Sequence, residues 1–223
     1  MSTVIHPQPQ IEIVYPESDG KPMADNTEQF EWIVKIKEGL EFQFANDPNV
    51  FVAGDLLWYP VENNNKCRVA PDAMVVFGRP KGRRSSYLQW NENGIAPQVV
   101  FEVLSPGNRL SEMAQKLEFY DVRGVEEYYL IDPSRLDASG WIRQDDRLHP
   151  IESLHQWVSP RLGIRFETEF NQIHLFHPDG SPFKSFTEVS QQLEQERQRA
   201  EAQYQRAERL LAQLRAAGLT PEE

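Results

Sequence analysis

A glutamate stands inside a run that is otherwise wholly apolar, Val99-Val100-Phe101-Glu102-Val103-Leu104. Apolar residues on both alternating faces predict a strand covered on both sides. An ionised carboxylate in such a strand is costly unless it is paired, bound to a metal, or protonated by a shifted pKa. Two readings satisfy that constraint. Glu102 is a structural partner of a buried Arg or Lys, or it is a functional carboxylate.

Asp72 opens a second strand-like run, Pro71-Asp72-Ala-Met-Val-Val-Phe77. Alone it reads as turn chemistry beside a proline. If the two strands run antiparallel, the start of one lies beside the end of the other. Asp72 and Glu102 then share one edge of the sheet, where a divalent cation would relieve their repulsion. Ligands that are all oxygen point to Mg²⁺ or Mn²⁺. Asp55 is a possible accessory acid. It lies in a third run, Val50 to Leu57, among Val52, Leu56, Leu57 and Trp58, and an Asn-rich turn predicts a hairpin with the second run. A solvent-facing position on an edge strand is the plainer reading of Asp55.

Lys116 falls on a helix expected from Arg109 to Arg123, with an apolar stripe of Leu110, Met113, Leu117 and Tyr120. It lies about 40° from Tyr120 on the helical wheel. The turn Ser105-Pro-Gly-Asn108 is tight enough to fold this helix back onto the strand. Lys116 then either points at the carboxylates or snorkels to water.

Around these elements the chain divides into a body, 1–187, and a tail, 188–223. Residues 1–27 are Pro-rich and read as an arm, with one edge strand from Ile11 to Tyr15. A first helix starts at Asn26 or Thr27 and carries a stripe of Phe30, Ile33, Val34, Leu40 and Phe44. The stretch from Gly78 to Pro97 reads as a long exposed loop. Its Arg79, Lys81, Arg83 and Arg84 are candidate nucleic-acid contacts. After a strand from Glu127 to Ile131, short runs at 140–142, 148–151, 157–158, 164–166 and 173–176 are expected to extend the sheet. In the tail, Leu193, Arg197, Ala200, Tyr204, Ala207, Leu211 and Leu214 recur at four-three spacing. That pattern fits a short coiled coil or a single solvated helix.

Composition bounds the function. The net charge is −11, and the tail holds seven acids against five bases, so the acidity belongs to the body. This is not the basic footprint of a constitutive nucleic-acid binder. An enzyme that meets a polyanion through metal ions stays open. One cysteine excludes a disulfide framework. No membrane span or secretory leader is legible, so we expect a cytoplasmic protein with no membrane partner.

Pro71-Asp72, Phe101-Glu102-Val-Leu-Ser-Pro106, Lys116 with Tyr120, and Gly124-Val-Glu-Glu-Tyr-Tyr-Leu-Ile-Asp-Pro133 stand in a specific order. As a set they resemble the Uma-type restriction endonucleases of the PD-(D/E)XK nuclease superfamily, over roughly residues 10–175. The resemblance implies an α/β fold with an αβββαβ core, whose mixed sheet carries two acids and a lysine around Mg²⁺. The superfamily lysine sits two residues after the glutamate. Here that position is Leu104, and Lys116 on the next helix matches a migrated lysine. The superfamily often adds a glutamate from the first helix, for which Glu38 and Glu41 are candidates.

The implied activity is a Mg²⁺- or Mn²⁺-dependent endonuclease acting on nucleic acid, with DNA foremost. Asp72, Glu102 and Lys116 would be catalytic, and Asp72, Glu102 and the Val103 carbonyl would hold the metal. A homodimer formed through the sheet or the tail is expected. The alternative from another class is a catalytically silent nuclease fold used for binding or assembly.

Overall fold

The computed structural model describes residues 13–20, 22–169 and 172–218. The chain divides into two compact units that meet between Phe183 and Lys184.

In the first unit, Asn26 caps helix α1 (Thr27–Gln43) by accepting the Gln29 N–H at 2.8 Å. The helix buries Gln29, Ile33, Ile36 and Leu40. This face is turned from the expected stripe: Phe30 stays about half exposed, and Ile36 takes the central place. Gly39 is the close-approach point, because the ring of Phe183 lies where a Cβ would stand.

Strand β1 (Val50–Ala53) precedes a short β2 (Trp58–Tyr59). Next come β3 (Ala73–Phe77), a short β4 (Tyr87–Leu88), and β5 (Val99–Val103). Helix α2 (Leu110–Val122) crosses to β6 (Glu127–Asp132), and β7 (Asp137–Gln144) and β8 (Arg147–Pro150) follow. One sheet runs in the order β1-β3-β5-β6-β7-β8. Within this sheet β5 and β6 are the parallel pair, which is why a helix must connect them. The αβββαβ core with a mixed sheet is therefore present.

All five residues of β5 are buried. Val99, Phe101 and Val103 face one core, with Ile33, Ile36 and Leu40 of α1. Val100 faces the other, with Met74, Tyr120 and Tyr128. Each fully buried side chain of this size contributes about 1.5–3 kcal/mol, so a charge in β5 needs a partner.

Several expectations change. Of the expected N-terminal edge strand, Ile11 and Glu12 lie outside the described residues, and Ile13 to Tyr15 form no strand. The run from Val50 to Leu57 stops as a strand at Ala53. Asp55 then takes a left-handed conformation, φ 47°, that no regular strand allows. The 78–97 segment is not an open loop, since it holds β4 and a 3-10 turn, Gln89–Glu92. On α2, Leu110 is exposed and Tyr120 is the buried residue. Beyond β8 the chain leaves the sheet. Strands β9 (Arg165–Glu167) and β10 (His174–Phe176) form a two-stranded sheet of their own, flanked by single bridges from Val158 to Arg165 and from Phe176 to Pro182.

The second unit contains helix α3 (Phe186–Ala216), opened by a reciprocal cap between Ser185 and Glu188. None of its side chains is buried, and Leu193 and Tyr204 of the heptad pattern stay exposed. Among the described residues no helix is long and apolar enough to cross a membrane. Because both hydrophobic cores lie within the first unit, a chain ending at Phe183 should remain folded. In a thermal melt followed by circular dichroism we expect one cooperative transition within a few degrees of the full chain. An insoluble or non-cooperative product would move the boundary.

Candidate active site

Strand β3 begins at Ala73, opposite Phe101 of antiparallel β5. Continuing that register one step sets Asp72 opposite Glu102, on the face that carries Met74 and Val100. The sheet ladder ends here and side chains take over from it. Asp72 Oδ2 accepts the Val103 N–H at 2.6 Å. On the next helix, Lys116 and Tyr120 lie one turn apart and project from the same face. Lys116 Nζ donates to Glu102 Oε2 at 2.6 Å, and the Tyr120 hydroxyl donates to Glu102 Oε1. Glu102 is only 2% exposed, whereas the Lys116 side chain is 30% exposed. The ammonium therefore joins the buried carboxylate to a cleft of about 700 Å³.

Asp72, Glu102, Val103 and Lys116 all line that cleft. Asp55 lines it too, from the turn after β1 and not from a strand, with its N–H held by the Pro71 carbonyl at 3.1 Å. The wall adds Asp25 and Glu112, and among the described residues Arg68 is the only lining cation besides Lys116.

The electrostatics follow from this crowding. Burial and the neighbouring Glu102 carboxylate push the Asp72 carboxyl well above its ordinary value, against the opposing pull of Lys116 and the Val103 N–H. Burial, then Asp19, raise Asp55. Burial works to lower the Lys116 ammonium, but Glu102 and Asp72 outweigh it and the net shift is upward. Burial and Glu102 hold the Tyr120 hydroxyl far above its ordinary value, so it stays a donor.

These shifts carry a stability prediction for Asp72. Its folded-state pKa lies above the unfolded carboxyl value of 3.8. Ionising it therefore costs folding free energy: the cost is absent below that value and grows as pH rises through the folded one. Asp72→Asn keeps an acceptor for the Val103 N–H and removes the charge. In EDTA at pH 7 we expect it to gain about 1 kcal/mol, or roughly 2–4 °C in melting temperature. The gain should shrink as pH falls toward 4. A loss of stability at pH 7 would show that the ionised carboxylate is needed to hold Val103.

The other candidates lie elsewhere. Glu41 pairs with Lys81 at 2.9 Å, and exposed Glu38 pairs with Lys37 at 2.9 Å, so neither is brought to the cleft. The basic segment is largely neutralised. Arg79 and Arg84 both bind the poorly exposed Glu92, at 2.7 and 2.6 Å, and Arg84 also lies over the Phe51 ring. A carboxylate that buried needs cations, and it takes two of the four expected for nucleic acid. Arg83 alone of the four stays exposed without an ion pair.

One residue at the site escaped sequence reasoning. Gln29 of α1, 7% exposed, donates from Nε2 to the Val103 carbonyl at 2.7 Å. The signal was its position four residues before Ile33 on the buried face of α1. A second buried carboxylate, Glu127, takes the structural role that stood open for Glu102. It accepts from Tyr129, Ser159 and the Arg161 N–H, and so ties down the turn at 159–163.

Among the described residues no three His, Cys, Asp or Glu side chains are grouped to hold a metal ion by themselves. The site offers two carboxylates and one backbone carbonyl. Mg²⁺ commonly takes one or two carboxylates and completes its shell with water and substrate phosphate. An oxygen-only set also suits a hard cation, and a dication would offset the repulsion between Asp72 and the neighbouring Glu102. The donors present fit Mg²⁺ or Mn²⁺.

A crystal structure described as a putative nuclease belonging to DUF820, from Anabaena variabilis ATCC 29413, is similar with a TM-score of 0.47 and 15% identity. The match covers 63% of this chain and 74% of that one. No curated protein matches. The family model Uma2, described as "Putative restriction endonuclease", matches residues 20–212. A match over that much of the sequence places the chain in the Uma2 family of putative restriction endonucleases.

Proposed function

We propose that this protein is a divalent-cation-dependent endonuclease that hydrolyses phosphodiester bonds in nucleic acid, with DNA the first substrate to try. The observation that carries the proposal is Glu102. It is a carboxylate in a strand whose five residues are all buried, beside Asp72, and it faces the cleft with Lys116. Asp72, Glu102 and the Val103 carbonyl would hold Mg²⁺ or Mn²⁺. That ion supplies polarisation of a phosphoryl oxygen and a lowered pKa for a bound water.

The protein's own groups have separable tasks. Tyr120 and Lys116 each take one oxygen of Glu102 and fix the plane of its carboxylate. The upward shift of Lys116 makes it a cation at neutral pH and not a general base. Its part is then to offset negative charge that develops on the phosphate. Acid side chains outnumber bases along the cleft, which opposes the entry of a bare polyanion. Substrate therefore needs cations to enter as well as to react.

The test is a cleavage assay on supercoiled DNA, single-stranded DNA and RNA, in Mg²⁺, in Mn²⁺ and in EDTA. We expect cleavage of at least one substrate, dependent on the dication. No cleavage of any substrate, together with no Mn²⁺-induced thermal shift, would favour the catalytically silent module, a reading to which the acidic cleft also lends weight.

A further inference from the structure

Strand β5 runs two residues beyond the start of β3. Continuing the antiparallel register from Ala73 and Phe101 brings Pro71 opposite Val103. Proline has no N–H to give, and the Pro71 carbonyl already accepts from Asp55. Neither ladder hydrogen bond forms: Pro71 cannot donate, and the Val103 N–H turns to a side chain. Two side chains stand in: Asp72 takes the N–H at 2.6 Å and Gln29 serves the carbonyl at 2.7 Å. The Gln29 carboxamide is fixed at its other end, where Oε1 accepts the Asp25 N–H at 2.8 Å. Asp25 in turn accepts from Ser105 Oγ at 2.5 Å, just beyond the end of β5. Helix α1, its N-terminal approach and the loop after β5 are therefore tied together around one carbonyl.

We propose that Gln29 is a positioning residue for the cation site. It occupies one lone pair of the Val103 carbonyl and aims the other into the cleft beside Asp72 and Glu102. This rests on the reading of the site given above. A carbonyl has two acceptor positions, so a donor on one leaves the other for a cation. Gln29 is also neutral, so α1 orients the ligand without adding a third negative charge. Groups of this kind, which hold a ligand without touching the metal, typically alter metal affinity by about 10- to 100-fold.

The experiment is Mn²⁺ titration by isothermal calorimetry on the full chain. It compares wild type, Gln29→Leu and Gln29→Asn at a temperature where circular dichroism shows all three folded. Gln29→Asn keeps the amide but shortens its reach by one methylene, and it guards against a Leu variant that fails to fold. We expect both variants to bind Mn²⁺ about tenfold or more weakly. At saturating Mn²⁺ their cleavage rate should return to near wild type, a separation that general loosening of the fold would not give. Wild-type Mn²⁺ affinity in both variants would overturn the positioning role and leave the cation site standing. No Mn²⁺ binding by wild type would overturn the role together with the site on which it rests.

Discussion

Glu102→Gln is expected to lower dication-dependent cleavage by about 10³-fold, equivalent to about 4 kcal/mol of transition-state stabilisation. Glutamine keeps the shape of the side chain and an oxygen to accept from Tyr120. It loses the charge that faces Lys116 and the cleft. Folding should suffer less than rate. The Lys116 side chain is 30% exposed, and it already feels Asp72 and Glu112, so its ammonium keeps carboxylate neighbours. Cleavage rates and melting temperatures from one preparation separate the two effects. A variant that unfolds at room temperature would show that Glu102 is a structural acid, in the way Glu127 is.

Lys116→Met should cost both rate and stability. Removing one preorganised donor to developing charge is worth about 10²–10³ in rate. In the metal-free protein the change also leaves Glu102, 2% exposed, with Tyr120 alone, beside a second carboxylate. Breaking a fully buried pair costs about 3–5 kcal/mol. The partial exposure of Lys116 brings the expectation down to about 2 kcal/mol. The pH dependence has a definite sign. The folded-state pKa of Lys116 lies above its unfolded value of 10.5. Its contribution is therefore complete below that pH and fades as pH rises through the folded value. Urea midpoints of wild type and variant should differ by a constant amount from pH 6 to 9 and converge above 10.5. Adding Mn²⁺ should narrow the gap at neutral pH, because the dication supplies the missing charge. Full cleavage by Lys116→Met would remove this residue from the reaction.

What the sequence disclosed, and what it hid, divides along physical lines. Glu102 was legible because a charge inside an apolar strand conflicts with its surroundings at one position. Asp72 became legible through strand register, and Lys116 through the wheel angle to Tyr120. Both are periodic properties of local structure. Asp55 was placed on a strand because its neighbours are apolar, yet the chain turns at Gly54-Asp55 and delivers the side chain to the cleft by another route. Arg79 and Arg84 looked like a nucleic-acid strip because their partner, Glu92, lies in a short 3-10 turn with no periodic signature. Gln29 was hidden for the opposite reason. A neutral amide near a helix start is unremarkable until a proline 42 residues further on leaves a carbonyl without a donor. The separate pairing of β9 and β10 was likewise hidden, since alternation predicts strands but not which sheet they join.

The proposed activity requires Asp72 and Glu102 to share one cation. Anomalous diffraction from a crystal soaked in Mn²⁺ tests that directly. We expect a single strong manganese peak in the cleft, at about 2.0–2.6 Å from oxygens of both Asp72 and Glu102, with the Val103 carbonyl in the same shell. An empty cleft in a crystal saturated with Mn²⁺, or manganese bound only at surface acids away from these two carboxylates, would contradict it.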